Sequence, residues 1–240
     1  MKEYFGKSSK SYKQTKGKRF LLLPAFIKLI PKTRKGKLLD LGCGNGDLYP
    51  MVSKKGYDYF GLDISKDMIA RAKKDYPRGN YSIYSASNFS KEYSDKFDIV
   101  LISMLFPAIG NKKELEKILK ESVKVLKKSG RIIIGVTYPL FDYYMQFGLF
   151  RRKGIKTKFW GYFRSGSPFS IYKKIDGKDI IFRDYHWTLT DYVELINKTG
   201  LVISGINECK PIDIVKTQDK PFYEKRILFP TYLAIDCRLN

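Results

Sequence analysis

Residues 38–46, with the sequence LLDLGCGNG, decide the fold of this chain. Two leucines lead into Asp40, and glycine then stands at every second position, at Gly42, Gly44 and Gly46. Because glycine has no Cβ, it tolerates positive φ and lets ligand atoms come close to the main chain. A buried parallel strand ends in this way where its backbone turns sharply beneath a bulky ligand. We therefore predict that strand one covers residues 38–41 and that a ligand-binding loop follows it.

A second acid, Asp63, supports this prediction. It follows the apolar run 59–62, seventeen residues after Gly46, where a carboxylate typically accepts hydrogen bonds from ribose hydroxyls. The loop spacing is G-x-G-x-G, whereas dinucleotide-binding loops have G-x-G-x-x-G and hold a pyrophosphate at a helix N-terminus. Asp40 and Asp47 flank the loop. Two acids suit a ligand that carries an ammonium and a sulfonium better than a pyrophosphate.

Four segments in chain order resemble the motifs of class I S-adenosylmethionine-dependent methyltransferases. They are LLDLGCGNG at 38–46, GLDIS at 61–65, FDIVLIS at 97–103 and LKKSGRIIIG at 126–135. The resemblance covers about residues 37–137 and continues more weakly to the C-terminus. It implies a doubly wound, Rossmann-like α/β fold with a mostly parallel seven-stranded sheet whose last strand is antiparallel. It also implies S-adenosylmethionine as the cofactor and S-adenosylhomocysteine as its product.

Alternating strand and helix patterns run through most of the chain. Strands are predicted at 38–41, 59–62, 81–84, 97–102, 131–136, 201–206 and 226–235, and helices at 20–30, 47–55, 66–74, 112–128 and 190–198. Such alternation is typical of a parallel sheet with helices on both faces.

The pattern is interrupted between residues 139 and 187. Residues 138–187 contain 15 of the 36 aromatic residues of the chain, and Asp176-Gly177 is a strong signal for the turn of a hairpin. We interpret 139–187 as an aromatic-rich lid insertion after strand five. The predicted organisation is therefore a basic N-terminal segment and cap helix at 1–36, and a methyltransferase domain at 37–240 that includes the lid.

The resemblance assigns cofactor contacts residue by residue. The glycine loop should surround the methionine end of the cofactor, Asp63 should bind the ribose, and the next two motifs should border the adenine and the transferred methyl group. The cofactor-binding residues so predicted are Asp40, Gly42, Cys43, Gly44, Gly46, Asp63, Ile64, Met68, Ser85, Ala86 and Ser103. The family usually has an acid after strand three for the adenine amino group, but residues 84–88 contain none. Ser85 or Asn88 is expected to make that contact as a neutral group.

The segment after strand four bears on the methyl acceptor. Enzymes that methylate exocyclic base nitrogens have an Asn/Asp-Pro-Pro-aromatic tetrad there, whereas this chain has the apolar sequence LISMLFP at 101–107. That sequence is similar to the corresponding segment of small-molecule methyltransferases. We therefore expect methyl transfer to oxygen or nitrogen of a small or lipid-like acceptor. The alternatives are an RNA methyltransferase, and an RNA-binding protein that keeps a cofactor pocket without catalysis.

His186 is the single histidine of the chain. It lies in DYHWTLTDY at 184–192, which is similar to a Tyr-His-Arg-x-Leu-x-x-Tyr stretch in several small-molecule and quinone-type methyltransferases, although Trp187 replaces the arginine. A histidine at the cleft can take the proton of a hydroxyl acceptor. The alternatives are a structural histidine that bonds to a backbone carbonyl, and transfer by proximity alone without a base.

Composition limits the partners and the location. The formal net charge is +22, with twelve basic groups and one acid in residues 1–37, and ten basic groups and four acids in residues 139–187. We expect these two segments to form one basic face at the cleft that attracts an anionic membrane surface, a phosphate-bearing substrate or RNA. The alternative is a lysine-rich surface that only keeps the protein soluble. The expected location is cytoplasmic, with peripheral membrane association as an alternative, because no apolar run reaches the roughly 18 residues of a membrane span. The three cysteines have no paired spacing, so we predict reduced thiols and no metal site.

Overall fold

The computed structural model of the chain describes residues 15–93, 96–141, 161–175 and 178–240. Within these ranges, the strands are β1 (Gly36–Leu41), β2 (Tyr57–Asp63), β3 (Asn80–Ile83), β4 (Phe97–Ser103), β5 (Leu126–Thr137), β6 (Ser167–Ile175), β7 (Lys178–His186), β8 (Leu201–Glu208) and β9 (Tyr232–Leu239). A π-helical turn (Lys18–Leu22) leads into the first of the helices, which are α1 (Leu23–Leu29), α2 (Tyr49–Ser53), α3 (Lys66–Asp75), α4 (Lys112–Val125), α5 (Leu189–Lys198), α6 (Ile214–Gln218) and α7 (Lys220–Ile227).

Seven strands form one sheet in the order β3-β2-β1-β4-β5-β9-β8. Strands β3, β2, β1, β4 and β5 are parallel, and β9 runs antiparallel to both β5 and β8. The prediction of a mostly parallel, seven-stranded sheet with an antiparallel last strand is confirmed. The strand order reverses at β1 and β4, and ligands of doubly wound sheets bind at the carboxyl ends of the strands at this point.

Local capping explains where two of the helices begin. Ser65 caps α3, because its Oγ accepts a hydrogen bond from the backbone N–H of Met68 at 3.3 Å. Thr188 and Asp191 form a reciprocal capping box at the start of α5, a pair of contacts that satisfies two free backbone donors. Gly200 follows α5 with a φ of 76°, as expected for a residue that ends a helix.

The predicted last strand was too long at its start. Residues 226–227 belong to α7, and β9 begins at Tyr232. Asp219 caps α7 by accepting a hydrogen bond from the N–H of Phe222 at 3.2 Å, and Pro221 lies in its first turn, where proline favours a helix. The predicted helix 112–128 is also too long, because Leu126 is already paired with Phe97 as the first residue of β5.

The segment after β5 contains the predicted hairpin. Strands β6 and β7 are antiparallel partners from Ser167↔His186 to Ile175↔Lys178, and are longer than the strands at 171–175 and 179–182 that the pattern around Asp176-Gly177 predicts. The proposed turn at 176–177 and the predicted lid residues 142–160 lie outside the described residues. That the hairpin and its surroundings act as a lid stays a prediction.

The N-terminal helix crosses the sheet from the carboxyl ends of the parallel strands toward their amino ends. Gly17 lies against Tyr232, where a Cβ added to the glycine would be 3.0 Å from the tyrosine hydroxyl, and Tyr232 pairs with Thr137 at the carboxyl end of β5. At the other end of the helix, the carbonyl of Leu29 accepts a hydrogen bond from Arg131 at 3.0 Å. The basic residues from Lys28 to Lys37 therefore lie toward the edge opposite the glycine loop. For these residues the prediction of one basic face at the cleft is wrong.

Among the helices that the structure describes, none has both the length and the apolar character needed to cross a bilayer.

Candidate active site

The glycine loop follows β1 at the carboxyl edge of the sheet. Gly42, Gly44 and Gly46 have φ values of 72°, 55° and 76°, a region that L side chains rarely adopt. A Cβ added to Gly44 would meet no atom within 4 Å, whereas one added to Gly46 would be 2.9 Å from the hydroxyl of Tyr81. Gly44 therefore faces open space where a ligand can approach the backbone, and Gly46 is required by packing.

Asp63 stands at the end of β2 and is bonded to the loop. Its Oδ2 accepts a hydrogen bond from the N–H of Gly44 at 2.9 Å, and its Oδ1 accepts one from the N–H of Ser65 at 2.8 Å. Each oxygen retains a lone pair for a further donor. Burial raises the pKa of this carboxyl, while the surrounding backbone N–H groups oppose the shift. The carboxylate is thus held in one orientation and can accept hydrogen bonds from two neighbouring hydroxyls.

Asp40 is fully buried at the end of β1. Its Oδ2 accepts a hydrogen bond from the Tyr59 hydroxyl at 2.6 Å, and its Oδ1 has no hydrogen-bond partner among the residues the structure describes. Burial raises its pKa to about 6, although the Tyr59 hydroxyl and the positive charge of Lys18 oppose the shift. A buried carboxyl with a free acceptor atom favours a cationic ligand that would lower its pKa again.

Cys43 does not have the environment of a nucleophile. The side chain is buried, and burial together with the nearby Asp40 and Asp63 carboxylates raises its pKa well above the ordinary value for a thiol. The thiol is therefore protonated at neutral pH, whereas a reactive cysteine needs a thiolate. Its Sγ would lie 2.9 Å from a Cβ added to Gly61, so the thiol fills space between the loop and β2.

The residues predicted to contact adenine lie next to Asp63. Ile64 is 48 % exposed, whereas Met68 is buried on α3. The backbone N–H of Tyr84 donates to the Asp63 carbonyl at 3.2 Å, which brings the segment after β3 to this edge. In that segment the Ser85 Oγ lies 3.0 Å from the Ser87 Oγ.

The two remaining residues after β3 make contacts of their own. Ala86 packs against the hydrophobic core cluster that contains Leu39, Leu41 and Phe89. The backbone N–H of Asn88 donates to the Ser85 carbonyl at 3.0 Å. Their contacts with adenine, like those of Ile64, Met68 and Ser85, stay predictions.

The end of β4 provides a strained backbone beside the glycine loop. Ser103 is buried, and its Oγ has no hydrogen-bond partner within the described part of the chain. Met104 has a φ of 56°, the one positive value found for a non-glycine residue in these ranges. Its N–H donates to the carbonyl of Gly135 at 2.8 Å. Strain of this kind costs roughly 1–3 kcal/mol and often occurs at functional sites, so this turn is a candidate border between cofactor and acceptor.

His186 lies at the end of β7 and is fully buried. Its Nε2 is 2.7 Å from the carbonyl oxygen of Tyr162, so this nitrogen donates when it carries the proton. The Tyr162 ring packs edge-on against the imidazole, with ring centroids 5.3 Å apart. This geometry supports the alternative in which His186 is structural and its Nε2 bonds to a backbone carbonyl. The role of general base stays a prediction.

Sequence reasoning did not find Tyr59, Lys18 or Met104. Tyr59 lies in the apolar run of β2, and its position two residues before Gly61 gives no signal that its hydroxyl reaches Asp40. Lys18 is one of eight basic residues between positions 15 and 37, and only the course of the N-terminal helix brings it near Asp40. The backbone conformation of Met104 has no sequence signature.

Comparisons with known proteins agree with this geometry. Residues 39–134 match the model of a family described as a methyltransferase domain. A demethylmenaquinone methyltransferase of Thermotoga maritima is 29 % identical over 110 residues, which are 45 % of this chain and 46 % of the relative. A ubiquinone biosynthesis O-methyltransferase of Pelagibacter ubique is 32 % identical over 102 residues, which are 41 % of this chain and 40 % of the relative. The chain thus matches less than half the length of these curated relatives.

A solved structure extends the likeness to nearly the whole chain. A protein of Listeria monocytogenes, assigned as an S-adenosylmethionine-dependent methyltransferase, is 25 % identical with a TM-score of 0.68, and the match covers 90 % of this chain and 96 % of that one. The sheet order, the glycine loop and these comparisons define the class. The chain has the fold of the class I S-adenosylmethionine-dependent methyltransferases and contains a methyltransferase domain at residues 39–134, and these comparisons support S-adenosylmethionine as its cofactor.

The residues at the carboxyl edge fit this cofactor. Gly44 offers open backbone, and Asp63 offers two oriented carboxylate oxygens for the ribose. The unpaired Oδ1 of Asp40 suits the ammonium group of the methionine end. In the described ranges no group of three or more His, Cys, Asp or Glu residues is arranged to hold a metal ion.

Proposed function

We propose that this protein transfers a methyl group from S-adenosylmethionine to an oxygen or nitrogen of a small or lipid-like acceptor. The observation that carries the proposal is the junction of the glycine loop with Asp63 and Asp40 at the carboxyl edge of the sheet. The cofactor, when bound, supplies a methyl group on a positively charged sulfur that an electron-rich acceptor atom can attack.

The protein's own residues orient the reactants. Asp63 fixes the ribose, and the loop backbone at Gly44 leaves room for the methionine end. The turn at Ser103 and Met104 then limits where an acceptor can lie. Holding the acceptor atom in line with the methyl group lowers the barrier by removing the entropy cost of the encounter.

Two observations support a small or lipid-like acceptor. The segment 101–107 at the end of β4 is apolar apart from Ser103, and Leu101, Ile102 and Phe106 are buried, so these three side chains are not available to hold an extruded base by hydrogen bonds and stacking. Two matched relatives are named as a demethylmenaquinone methyltransferase and a ubiquinone biosynthesis O-methyltransferase, and quinones with an isoprenoid tail are small, lipid-like molecules. An RNA acceptor and a non-catalytic RNA-binding role remain the alternatives that experiment must distinguish.

The proposal predicts micromolar binding of S-adenosylmethionine and S-adenosylhomocysteine by isothermal titration calorimetry. NAD should bind more weakly, because two acids flank the loop and would repel its pyrophosphate. Absence of heat with both methionine-derived ligands, or tighter binding of NAD, would contradict the cofactor assignment. Co-purification of nucleic acid, seen as a raised ratio of absorbance at 260 to 280 nm, would favour the RNA alternatives.

The role of His186 can be tested by His186→Asn. Because the ring is buried and bonded to Tyr162, we expect the variant to lose roughly 1–3 kcal/mol of unfolding free energy. We expect turnover at saturating cofactor to change by only a few-fold. The measurements are chemical denaturation, and turnover with a surrogate phenol acceptor. A loss of about a hundredfold in turnover, with stability and cofactor affinity unchanged, would instead identify His186 as the general base.

A further inference from the structure

Four apolar side chains are exposed near the ends of β5, β7 and α7. Their exposed fractions are 42 % for Leu140, 90 % for Phe163, 49 % for Ile227 and 63 % for Leu228. Single exposed apolar residues are normal on soluble proteins and need no explanation. The grouping of these four at one edge of the molecule does need one, and we call them the apolar edge patch.

Contacts with the end of α7 bring two parts of the patch together. The guanidinium of Arg226, next to Ile227, lies over the Phe141 ring at 5.2 Å from its centroid, and Phe141 follows Leu140. The N–H of Tyr138 also donates to the carbonyl of Thr231 at 2.9 Å. The chain after β5 and the chain after α7 therefore run side by side.

Phe163, the third part of the apolar edge patch, is connected to the other two parts through Tyr162. Its ring packs edge-on against Phe163, with centroids 5.2 Å apart, and its hydroxyl accepts a hydrogen bond from the N–H of Leu189 at 3.3 Å. The Tyr162 phenol is also near enough to Tyr138 to contribute to the raised pKa of the Tyr138 hydroxyl, whose main cause is burial. Phe163 thus belongs to the same edge, which is the edge that carries the glycine loop.

The charge around the patch is positive. Residues 15–20, 138–141, 161–166 and 208–231, which surround it at this edge, carry nine basic and four acidic side chains. Lys16 pairs with Asp219 and Lys220 lies 3.7 Å from Glu224, but both lysines are largely exposed, so these pairs contribute little. Exposed apolar side chains with a surrounding excess of cations are the features by which a protein binds the headgroup region of an anionic bilayer.

We propose that the apolar edge patch docks on an anionic lipid surface, with Ile227 and Leu228 inserting among the headgroups. The inference rests on the proposed function in one respect, since docking at this edge turns the carboxyl ends of the strands toward the lipid. A lipid-like acceptor can then reach the methyl group without crossing water. Docking itself does not require that the acceptor be a lipid.

Lipid fits the patch better than nucleic acid does. Three of its four members are aliphatic and have no π-face, whereas binding to single strands depends on aromatic side chains that stack on bases. Aliphatic side chains do gain free energy when they leave water for the interface of a bilayer.

The test is co-sedimentation of the full-length protein with vesicles of phosphatidylcholine, with and without phosphatidylglycerol. Wild-type protein should bind the vesicles that contain phosphatidylglycerol, and binding should fall as salt is raised. The double variant Ile227→Gln, Leu228→Gln should reduce the bound fraction by about tenfold or more. Val202→Gln is the matched control, because Val202 is 40 % exposed but pairs with Arg238 at the opposite edge of the sheet. It should bind as wild type does.

A second variant covers the case in which the double variant does not fold. Leu228→Trp places a fluorophore in the patch, and brominated phosphatidylglycerol should quench its emission beyond that of wild-type protein. Failure of the wild type to bind anionic vesicles would overturn the proposal, as would equal losses in the double variant and in Val202→Gln. Vesicle binding that is absent while a single-stranded RNA is bound would overturn it in favour of nucleic acid. Calorimetry with S-adenosylmethionine on the same samples tests the proposed function separately.

Discussion

Replacing Asp63 by alanine should weaken the binding of S-adenosylmethionine and S-adenosylhomocysteine by ~1–3 kcal/mol, which is about 5-fold to 150-fold in dissociation constant. Two effects combine. The ribose hydroxyls lose a charged acceptor, and the N–H groups of Gly44 and Ser65 lose the oxygens that hold them at 2.9 and 2.8 Å. Calorimetry on the purified variant measures the change directly.

Asp67→Ala provides the control for charge. Asp67 is an exposed acid in the first turn of α3, four residues after Asp63. The Asp67→Ala variant should bind the cofactor as wild type does. Equal affinities for wild type and Asp63→Ala would show that the ribose lies elsewhere. An equal loss of cofactor affinity in both variants would show that the effect comes from the change in net charge and not from a contact of Asp63 with the ribose.

Replacing Asp40 by asparagine should stabilise the protein without ligand and weaken its binding of cofactor. The pKa of Asp40 is raised from 3.8 to about 6, a difference that corresponds to about 3 kcal/mol. Between about pH 4 and pH 6 the native state keeps a proton that the unfolded chain has lost, so the stability of wild type falls as pH rises through this window. Asparagine has no such proton to lose.

The variant should therefore exceed wild type by up to about 3 kcal/mol in unfolding free energy above pH 6, and by little near pH 4. Urea denaturation of both proteins at these two pH values measures it. Cofactor affinity should be lower in the variant at pH 7, because the ammonium loses its counter-charge. A variant that is less stable than wild type at both pH values would contradict the raised pKa of Asp40.

The parallel part of the sheet could be predicted from sequence because β1, β2, β4 and β5 contain buried apolar runs. β1 and β2 carry a further signal, since each reaches an acid or a glycine where the strand ends. The helices between Ile214 and Ile227 could not be predicted from the apolar pattern, because α6 and α7 are short and α7 has no buried residue. A helix without an apolar stripe leaves no periodic signal.

Some features of the candidate site could likewise be predicted from sequence, and others could not. Gly44 and Asp63 could be predicted because their chemistry depends on the local spacing of residues along the chain. The bond between Tyr59 and Asp40 could not, because it joins β2 to β1 across the sheet and requires the strand register Leu38↔Tyr59. The carbonyl partner of His186 belongs to Tyr162, 24 residues earlier, and backbone partners have no residue signature at all.

Gly135 in β5 has a consequence for how the chain can vary. A Cβ at this position would lie 2.2 Å from Cζ of Phe26, whose ring is fully buried on the N-terminal helix. Addition of a single methyl group at position 135 would therefore push the helix away from the sheet, and the turn that carries Lys18 would move with it. β5 thus sets the distance between the N-terminal helix and the glycine loop. A substitution at position 135, far in sequence from the loop, can therefore alter how closely the methionine end of the cofactor is covered.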